Sequence, residues 1–212
     1  MNARWQDTPV AVLGRLLADL MIVNLLAVIC SFGVITLGAS LSAMYAVLFQ
    51  RERDEGTVSA IKAFFTAFFK NFPKATMLEL ILLLVLGVAA GDFWFAFQSE
   101  QPLRTIYTVV GTVIALLFLI LFIMAFPQQA VFSNSIRNYL KNSLILAVCS
   151  PVQLLLSLAA WIAPWVLVYL EPEVLVQLGV LYLLWGFSFP AWCTVKLLNK
   201  VFERTGQTTE ET

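Results

Sequence analysis

Long apolar runs, almost free of charged side chains, follow one another along this chain of 212 residues. Hydrophobic residues make up 60% of the chain and charged residues 12%, whereas a soluble domain has roughly 25% charged residues. A soluble fold of this length has too little interior to bury so many apolar side chains. Disordered chains, collagen and coiled coils have different compositions. The sequence therefore predicts an all-α integral membrane protein, a polytopic bundle of transmembrane helices.

Six of these runs are predicted to cross the bilayer and to form one helical membrane domain over residues 1–204. The predicted spans cover residues 10–35, 36–51, 74–97, 104–127, 142–170 and 174–197. The second span is short, because about 15 residues give only about 23 Å of helix against a hydrocarbon core of about 30 Å. The alternative for this segment is one arm of a re-entrant hairpin. Residues 205–212 are predicted to form a disordered polar tail.

The distribution of lysine and arginine favours the crossing second span, through the positive-inside rule. If this segment crosses, twelve of the 13 cations lie on one side of the membrane and only Arg104 lies on the other. If it does not cross, Arg4 and Arg15 change sides and the asymmetry weakens. The preferred topology therefore has six spans, with both termini in the cytoplasm.

Several kinds of chemistry are excluded by residues that the chain lacks. Basic and acidic residues number 13 each, so no net charge suggests a nucleic-acid partner. The absence of histidine removes His-dependent nucleophiles and His-ligated metal sites. Cys30, Cys149 and Cys193 are too far apart for a CxxC or zinc pattern, and there is no phosphate-binding GxxxxGK[ST] loop. We therefore expect no catalytic activity, metal or cofactor.

An amphipathic interfacial helix is predicted over residues 58–72, between the second and third spans. Its apolar residues follow the spacing of one helical stripe: Ile61, Phe64, Phe65, Phe68, Phe69 and Phe72. Lys62, Thr66 and Lys70 lie on the other side, and Pro73 ends the helix or turns it into the third span. This pattern is typical of a helix lying in the headgroup plane. The alternative is a docking helix that presents its aromatic residues to a cytoplasmic partner such as an ATPase.

Two sets of small residues predict close helix packing. They are Gly38, Ala39, Ser42, Ala43 and Ala46 in the second span, and Gly87 and Gly91 in the third. Packing within the chain is the expected use of both sets, and a homodimer interface is the alternative.

Polar residues inside the predicted spans are candidates for function, because placing them in lipid is costly. The strongest candidates form a predicted polar cluster of Arg15, Asp19, Asn24 and Glu79. Arg15 and Asp19 are one helical turn apart and can pair with each other. The cluster is either a satisfied structural feature or a carboxylate pair linked to protons or substrate. Weaker polar candidates are Gln128, Gln129 and Gln153.

Three stretches of this sequence resemble a known family. They are Asn24…Thr36-Leu37-Gly38…Ala43-Met44-Tyr45, then Phe64-Phe65…Phe68-Phe69-Lys70-Asn71-Phe72, and Arg137…Leu140-Lys141-Asn142-Ser143. Together they resemble the YesL-like family of bacterial membrane proteins, a domain of unknown function, over nearly the whole chain. The resemblance implies a protein of the bacterial plasma (inner) membrane that is associated with carbohydrate ABC importers. It implies no catalytic residues.

The function expected on this basis is that of an accessory or partner subunit in carbohydrate uptake, in contact with the lipid bilayer and with ABC sugar-importer subunits. The first alternative is a substrate-binding membrane component of the energy-coupling type. That alternative needs an outward-facing pocket, for which the candidate lining residues are Asp92, Trp94, Trp165 and Glu171. The second alternative is a purely structural, homo-oligomeric membrane protein.

Overall fold

The computed structural model describes residues 9–53, 59–171 and 173–204, and within these ranges the regular structure is helical, with no strand. The α-helices are α1 (Pro9–Cys30), α2 (Leu37–Glu52), α3 (Ala60–Gln98), α4 (Leu103–Val131), α5 (Ile136–Cys149), α6 (Pro151–Leu170), α7 (Glu173–Trp185) and α8 (Ser188–Arg204). A short 3-10 helix, Val34–Thr36, precedes α2. The predicted all-α class is confirmed. The predicted tail, residues 205–212, lies outside the described residues.

Among the described helices, α1, α3, α4 and α6 are long and apolar enough to cross a membrane. Helices α7 and α8 make a fifth candidate span if they cross together, with a bend of 43° between them. Helix α2 has 16 residues and is therefore about 24 Å long, which leaves it outside this set. The six predicted spans are thus not confirmed.

Three predicted spans differ from the helices in their boundaries. The first ends at Cys30 instead of residue 35, because the Thr36 hydroxyl donates to the Cys30 carbonyl (2.6 Å) and closes the turn into α2. The fifth is divided into α5 and α6, because Pro151 lacks the N–H needed to continue a helix and instead begins one. The sixth is interrupted after Trp185, and α8 continues to Arg204.

Helix α3 combines the predicted interfacial helix and the third predicted span. Pro73 lies inside it, so a separate interfacial helix is not found. A proline removes a single backbone donor, which a helix packed against neighbours in a bundle tolerates. The 39 residues of α3 give a length of about 58 Å. This is nearly twice the hydrocarbon thickness, so part of α3 extends beyond it.

Helix α2 lies at the centre of the bundle. All twelve residues from Gly38 to Phe49 are buried, and α2 packs against α1, α3, α4 and α8. Its many small residues allow these neighbours to approach closely. Helix α2, which is shorter than the hydrocarbon thickness, is therefore enclosed by protein along most of its length.

Helix α2 runs antiparallel to both α1 and α3. Arg51, near its end, pairs with Asp19 of α1, although α2 begins just after α1 ends. Gly38, near its start, bonds to Glu79 of α3, and the Asn71 amide donates to Ser42 (3.1 Å).

The end of α8 lies against the end of α2, with the Phe49 and Phe202 rings 5.7 Å apart. The Arg53 guanidinium donates to Asn199 (3.0 Å). One end of the bundle therefore holds the start of α1, the end of α2, the start of α3 and the end of α8. We call it the basic end, after Arg51, Arg53, Lys62, Lys196 and Lys200.

Candidate functional site

A cleft of about 470 Å³ opens at the basic end, between α2, α3 and the chain that leads from α4 into α5. Its volume falls in the range of small-molecule sites, roughly 300–1,000 Å³. The polar side chains that line it are Gln50, Lys62, Thr66, Lys70, Asn71, Lys74, Gln129, Ser133 and Tyr139. Among the described residues, no aspartate or glutamate lines it. We call it the lysine cleft, after Lys62, Lys70 and Lys74.

One face of α3 supplies the cationic wall of the lysine cleft. Lys62, Thr66, Lys70 and Lys74 recur every four residues, a spacing that places them on one side of a helix. The first and last lysines are separated by about 18 Å along the helix axis. The Lys74 ammonium donates to the backbone carbonyl of Asn134 (3.0 Å), which connects α3 to the turn before α5. The charges therefore extend along the cleft.

Two adjacent glutamines near the end of α4 have different environments. The Gln128 amide donates to the Met124 carbonyl (3.0 Å) and to the Ser143 hydroxyl (3.1 Å). Gln129 lines the lysine cleft and is 3% exposed. Within the described residues, neither Nε2 nor Oε1 of Gln129 has a hydrogen-bond partner. A buried polar group left unpaired costs about 1–3 kcal/mol, so Gln129 is the least satisfied of the cleft's buried polar residues.

The predicted polar cluster is not brought together. Asp19 and Glu79 contact opposite ends of α2, at Arg51 and Gly38. These two contact points are separated by about 20 Å along α2. A carboxylate pair linked to protons or substrate therefore has no geometric basis here.

Asp19 pairs with Arg51, whereas the sequence predicted that it would pair with Arg15. The Arg51 Nε lies 3.1 Å from one Asp19 carboxylate oxygen, and Nη2 lies 3.3 Å from the other. Arg51 can approach with both nitrogens because it comes from a facing helix, and such two-point pairing is the preferred geometry of arginine and carboxylate. The pair joins α1 to the end of α2.

Glu79 lies at the start of α2. Its carboxylate accepts a hydrogen bond from the Gly38 N–H (2.9 Å), one of the donors that the first turn of a helix leaves unpaired. Negative charge is also favourable at a helix N-terminus. Glu79 is buried, and its contact with α2 is that of a helix cap supplied by a neighbouring helix.

Asn24 joins α1 to the break between α7 and α8. Its Oδ1 accepts from the backbone N–H groups of Phe187 (2.9 Å) and Ser188 (2.8 Å). Its Nδ2 donates to the carbonyl of Leu183 (2.7 Å). These are backbone groups that a helix break leaves without intrahelical partners. Asn24 is fully buried, so its role in this arrangement is to satisfy the broken backbone.

The predicted aromatic stripe is divided between the core and the surface. Phe64 and Phe68 are buried and Phe72 is partly buried, with Phe64 and Phe68 stacked at 6.2 Å. The exposed members are Ile61, Phe65 and Phe69, of which Phe69 is 70% exposed. The stripe therefore both anchors α3 to the bundle and leaves an outer apolar face, which we call the outer stripe (Ile61, Phe65, Phe69).

The two predicted small-residue sets have different environments. The members of the first set are all buried in α2: Gly38, Ala39, Ser42, Ala43 and Ala46. In α3, a Cβ on Gly87 or Gly91 would meet no atom of the described residues within 4 Å. The second set therefore makes no close helix contact with the part of the chain that the structure describes, contrary to expectation.

The four residues predicted to line an outward-facing pocket do not line the lysine cleft or the second cavity, which is described below. The ring of Trp165 packs edge-on against Tyr182 (5.7 Å), while Trp94 and Glu171 are exposed. Asp92 lies against Gly111 at the contact of α3 with α4. The lysine cleft and a second cavity, lined by Glu52, Gln153, Lys196 and Lys200, are both at the basic end. Among the described residues, no group of His, Cys, Asp and Glu could hold a metal ion.

Several apolar helices of spanning length, packed around a buried central helix, define the class of this chain as a multi-pass helical membrane protein. Residues 20–93 match the family described as "Protein of unknown function, DUF624", which YesL-like proteins carry, so the resemblance seen in the sequence is confirmed over these residues, while the stretch from Arg137 to Ser143 lies outside the match. The match covers the second half of α1, all of α2 and most of α3. No curated protein and no solved structure matches the chain.

Proposed function

We propose that this chain is a multi-pass protein of a bacterial plasma membrane that acts as an accessory or partner subunit in ABC-type carbohydrate uptake. In this proposal the chain is not an enzyme and needs no cofactor. It contacts the importer through the basic end, which faces the cytoplasm together with both termini.

The positions of the charges support this orientation. The end of α2 and the end of α8 carry Arg51, Arg53, Lys196 and Lys200 side by side. The opposite end, where α3 meets α4 and α6 meets α7, carries Glu100, Glu171 and Glu173 with Arg104. Cytoplasmic loops of membrane proteins are enriched in lysine and arginine, so the basic end is assigned to the cytoplasm.

The observation that carries the proposed partner contact is the outer stripe. Ile61, Phe65 and Phe69 are exposed although Phe64 and Phe68 of the same helix are buried. They lie on the first part of α3, which also carries the lysines. The whole of α3 is longer than the hydrocarbon layer requires. Exposed aromatic residues next to cations are typical of both protein-contact and headgroup-contact surfaces. We assign this surface to a cytoplasmic subunit of the importer.

Affinity purification of the full chain in a mild detergent tests the proposal. We expect permease or ATPase subunits of a carbohydrate importer in the purified complex, identified by mass spectrometry. The double variant F65S/F69S should reduce their recovery at least tenfold, while the buried Phe64 and Phe68 remain intact.

The matched control is F95S/F97S, which removes two exposed rings from the other end of the same helix. Recovery of the importer subunits should not change with this variant. An isolated monomer or homodimer, or equal losses for both double variants, would contradict the accessory role.

The orientation has its own test. In a variant without Cys30, Cys149 and Cys193, a cysteine at the exposed Ser59 should react with a membrane-impermeant maleimide only after the membrane is opened. A cysteine at Glu100 should react in intact cells. The reverse pattern would overturn the assignment of the basic end to the cytoplasm.

A further inference from the structure

The lysine cleft has the features of a binding site for an anion. Its charged side chains are Lys62, Lys70 and Lys74, and among the described residues no carboxylate offsets them. Lysine ammonium groups bind phosphate as point charges. A site with three cations and, among the described residues, no acidic lining residue favours an anionic ligand.

Gln129 gives the second, independent indication of a ligand. It is buried in the wall of the cleft, and both its donor and its acceptor lack a partner within the described residues. Buried polar groups in native proteins are nearly always paired. An amide can donate to a phosphate oxygen and accept from a hydroxyl at the same time. The group that satisfies it therefore carries both kinds of atom.

The size of the cleft agrees with such a ligand. A volume of about 470 Å³ exceeds what an inorganic phosphate ion needs and suits a small organic molecule. Other hydrogen-bonding groups on the walls are the side chains of Gln50, Thr66 and Ser133. These neutral polar groups are suited to hydroxyls.

We propose that the lysine cleft binds an organic phosphate that carries hydroxyl groups, with the lysines of α3 holding the phosphate and Gln129 bonding to the phosphate and a hydroxyl. This chemistry has two sources: the headgroup of an anionic phospholipid such as phosphatidylglycerol, or a soluble phosphorylated polyol or sugar. The inference goes beyond the proposed importer association and does not depend on it.

The test uses the full chain in nanodiscs and distinguishes the two sources. Native mass spectrometry of nanodiscs containing phosphatidylcholine and phosphatidylglycerol measures retained phosphatidylglycerol. Calorimetric titration of sn-glycerol 1-phosphate into nanodiscs of phosphatidylcholine alone measures the soluble ligand. Binding in either arm supports the proposal and identifies the source; binding in neither overturns it.

Three variants connect binding to the cleft. K62Q/K70Q should weaken binding at least tenfold, whereas the charge-matched K196Q/K200Q, at the same end of the bundle but outside the cleft, should leave it within twofold. Gln129→Leu should also weaken binding at least tenfold. Without ligand it should melt no lower than the wild-type chain, because it removes an unpaired buried amide. Equal weakening by both lysine pairs, or unchanged binding in Gln129→Leu, would show that the cleft is not the site.

Discussion

The backbone N–H of Gly38 donates a 2.9 Å hydrogen bond to the Glu79 carboxylate, at a position where residue 38 has no room for a side chain. A Cβ there would lie 2.8 Å from the Ala75 carbonyl oxygen and 2.9 Å from the Glu79 Cβ. The close approach and the hydrogen bond depend on each other. Helix α3 can cap the start of α2 only because the two backbones come this near.

Gly38→Ala is therefore expected to destabilise the bundle. The added methyl group meets backbone, which cannot move away as a flexible side chain would, and overpacking of this kind costs about 1–3 kcal/mol. Thermal unfolding of the purified chain in detergent should show a lower midpoint. The control is Gly87→Ala, whose methyl group faces open space and should leave the midpoint unchanged or raise it, since alanine is the better helix former. Equal effects of the two changes would contradict the close crossing.

Substitutions at Glu79 separate hydrogen bonding from charge. Glu79→Gln keeps an oxygen that can accept from the Gly38 N–H, so we expect a loss of about 1 kcal/mol in the free energy of unfolding. Glu79→Leu fills the same space but leaves that buried N–H unpaired, and the loss should rise to about 2–3 kcal/mol. Detergent unfolding of both variants measures the difference. If Glu79→Leu is as stable as Glu79→Gln, the capping contact is not what stabilises this crossing.

Hydropathy predicted the helical class and the positions of most apolar segments, because burial in lipid requires long runs of apolar residues. It did not predict where helices are interrupted. The break after Trp185 depends on Asn24, more than 150 residues away in the sequence, which satisfies the exposed backbone. Such features arise from tertiary contacts and have no local pattern in the sequence.

The parts of the candidate site were visible in the sequence, but their arrangement was not. The four-residue spacing of Lys62, Thr66 and Lys70 was clear, and Gln129 was one of three weaker polar candidates, with Gln128 and Gln153. Nothing local indicated that α2 would place Gln50 opposite these lysines, or that Gln128 would be satisfied while Gln129 was not. Pairing of Asp19 with Arg51 was equally hidden, because the local alternative, Arg15, has the ideal helical spacing.

The Asp19–Arg51 pair is expected to show measurable but modest coupling. Both side chains are partly exposed, 24% for Asp19 and 32% for Arg51, so solvent screening limits the coupling energy to about 0.5–1 kcal/mol. A double-mutant cycle with Asp19→Asn and Arg51→Gln, read by unfolding in detergent, measures it. The same cycle with Arg15→Gln in place of Arg51→Gln should give no coupling. Stronger coupling of Asp19 to Arg15 than to Arg51 would restore the sequence-based pairing.

Among the polar residues of α1, Asn24 should cause the largest loss in the free energy of unfolding when it is replaced. Its one side chain satisfies three backbone groups at the α7–α8 break. Asn24→Asp keeps the acceptor for the Phe187 and Ser188 N–H groups but loses the donor to Leu183. Asn24→Ala loses all three bonds. Each buried group left unpaired costs about 1–3 kcal/mol. In detergent, the unfolding midpoint should therefore be highest for the wild-type chain, lower for Asn24→Asp and lowest for Asn24→Ala.

Thr108→Val, which removes a hydroxyl that bonds only within its own helix, is the control and should unfold like the wild-type chain. If Asn24→Ala did so too, the break would be satisfied by other means, and Asn24 would be free for a role in substrate or partner contact.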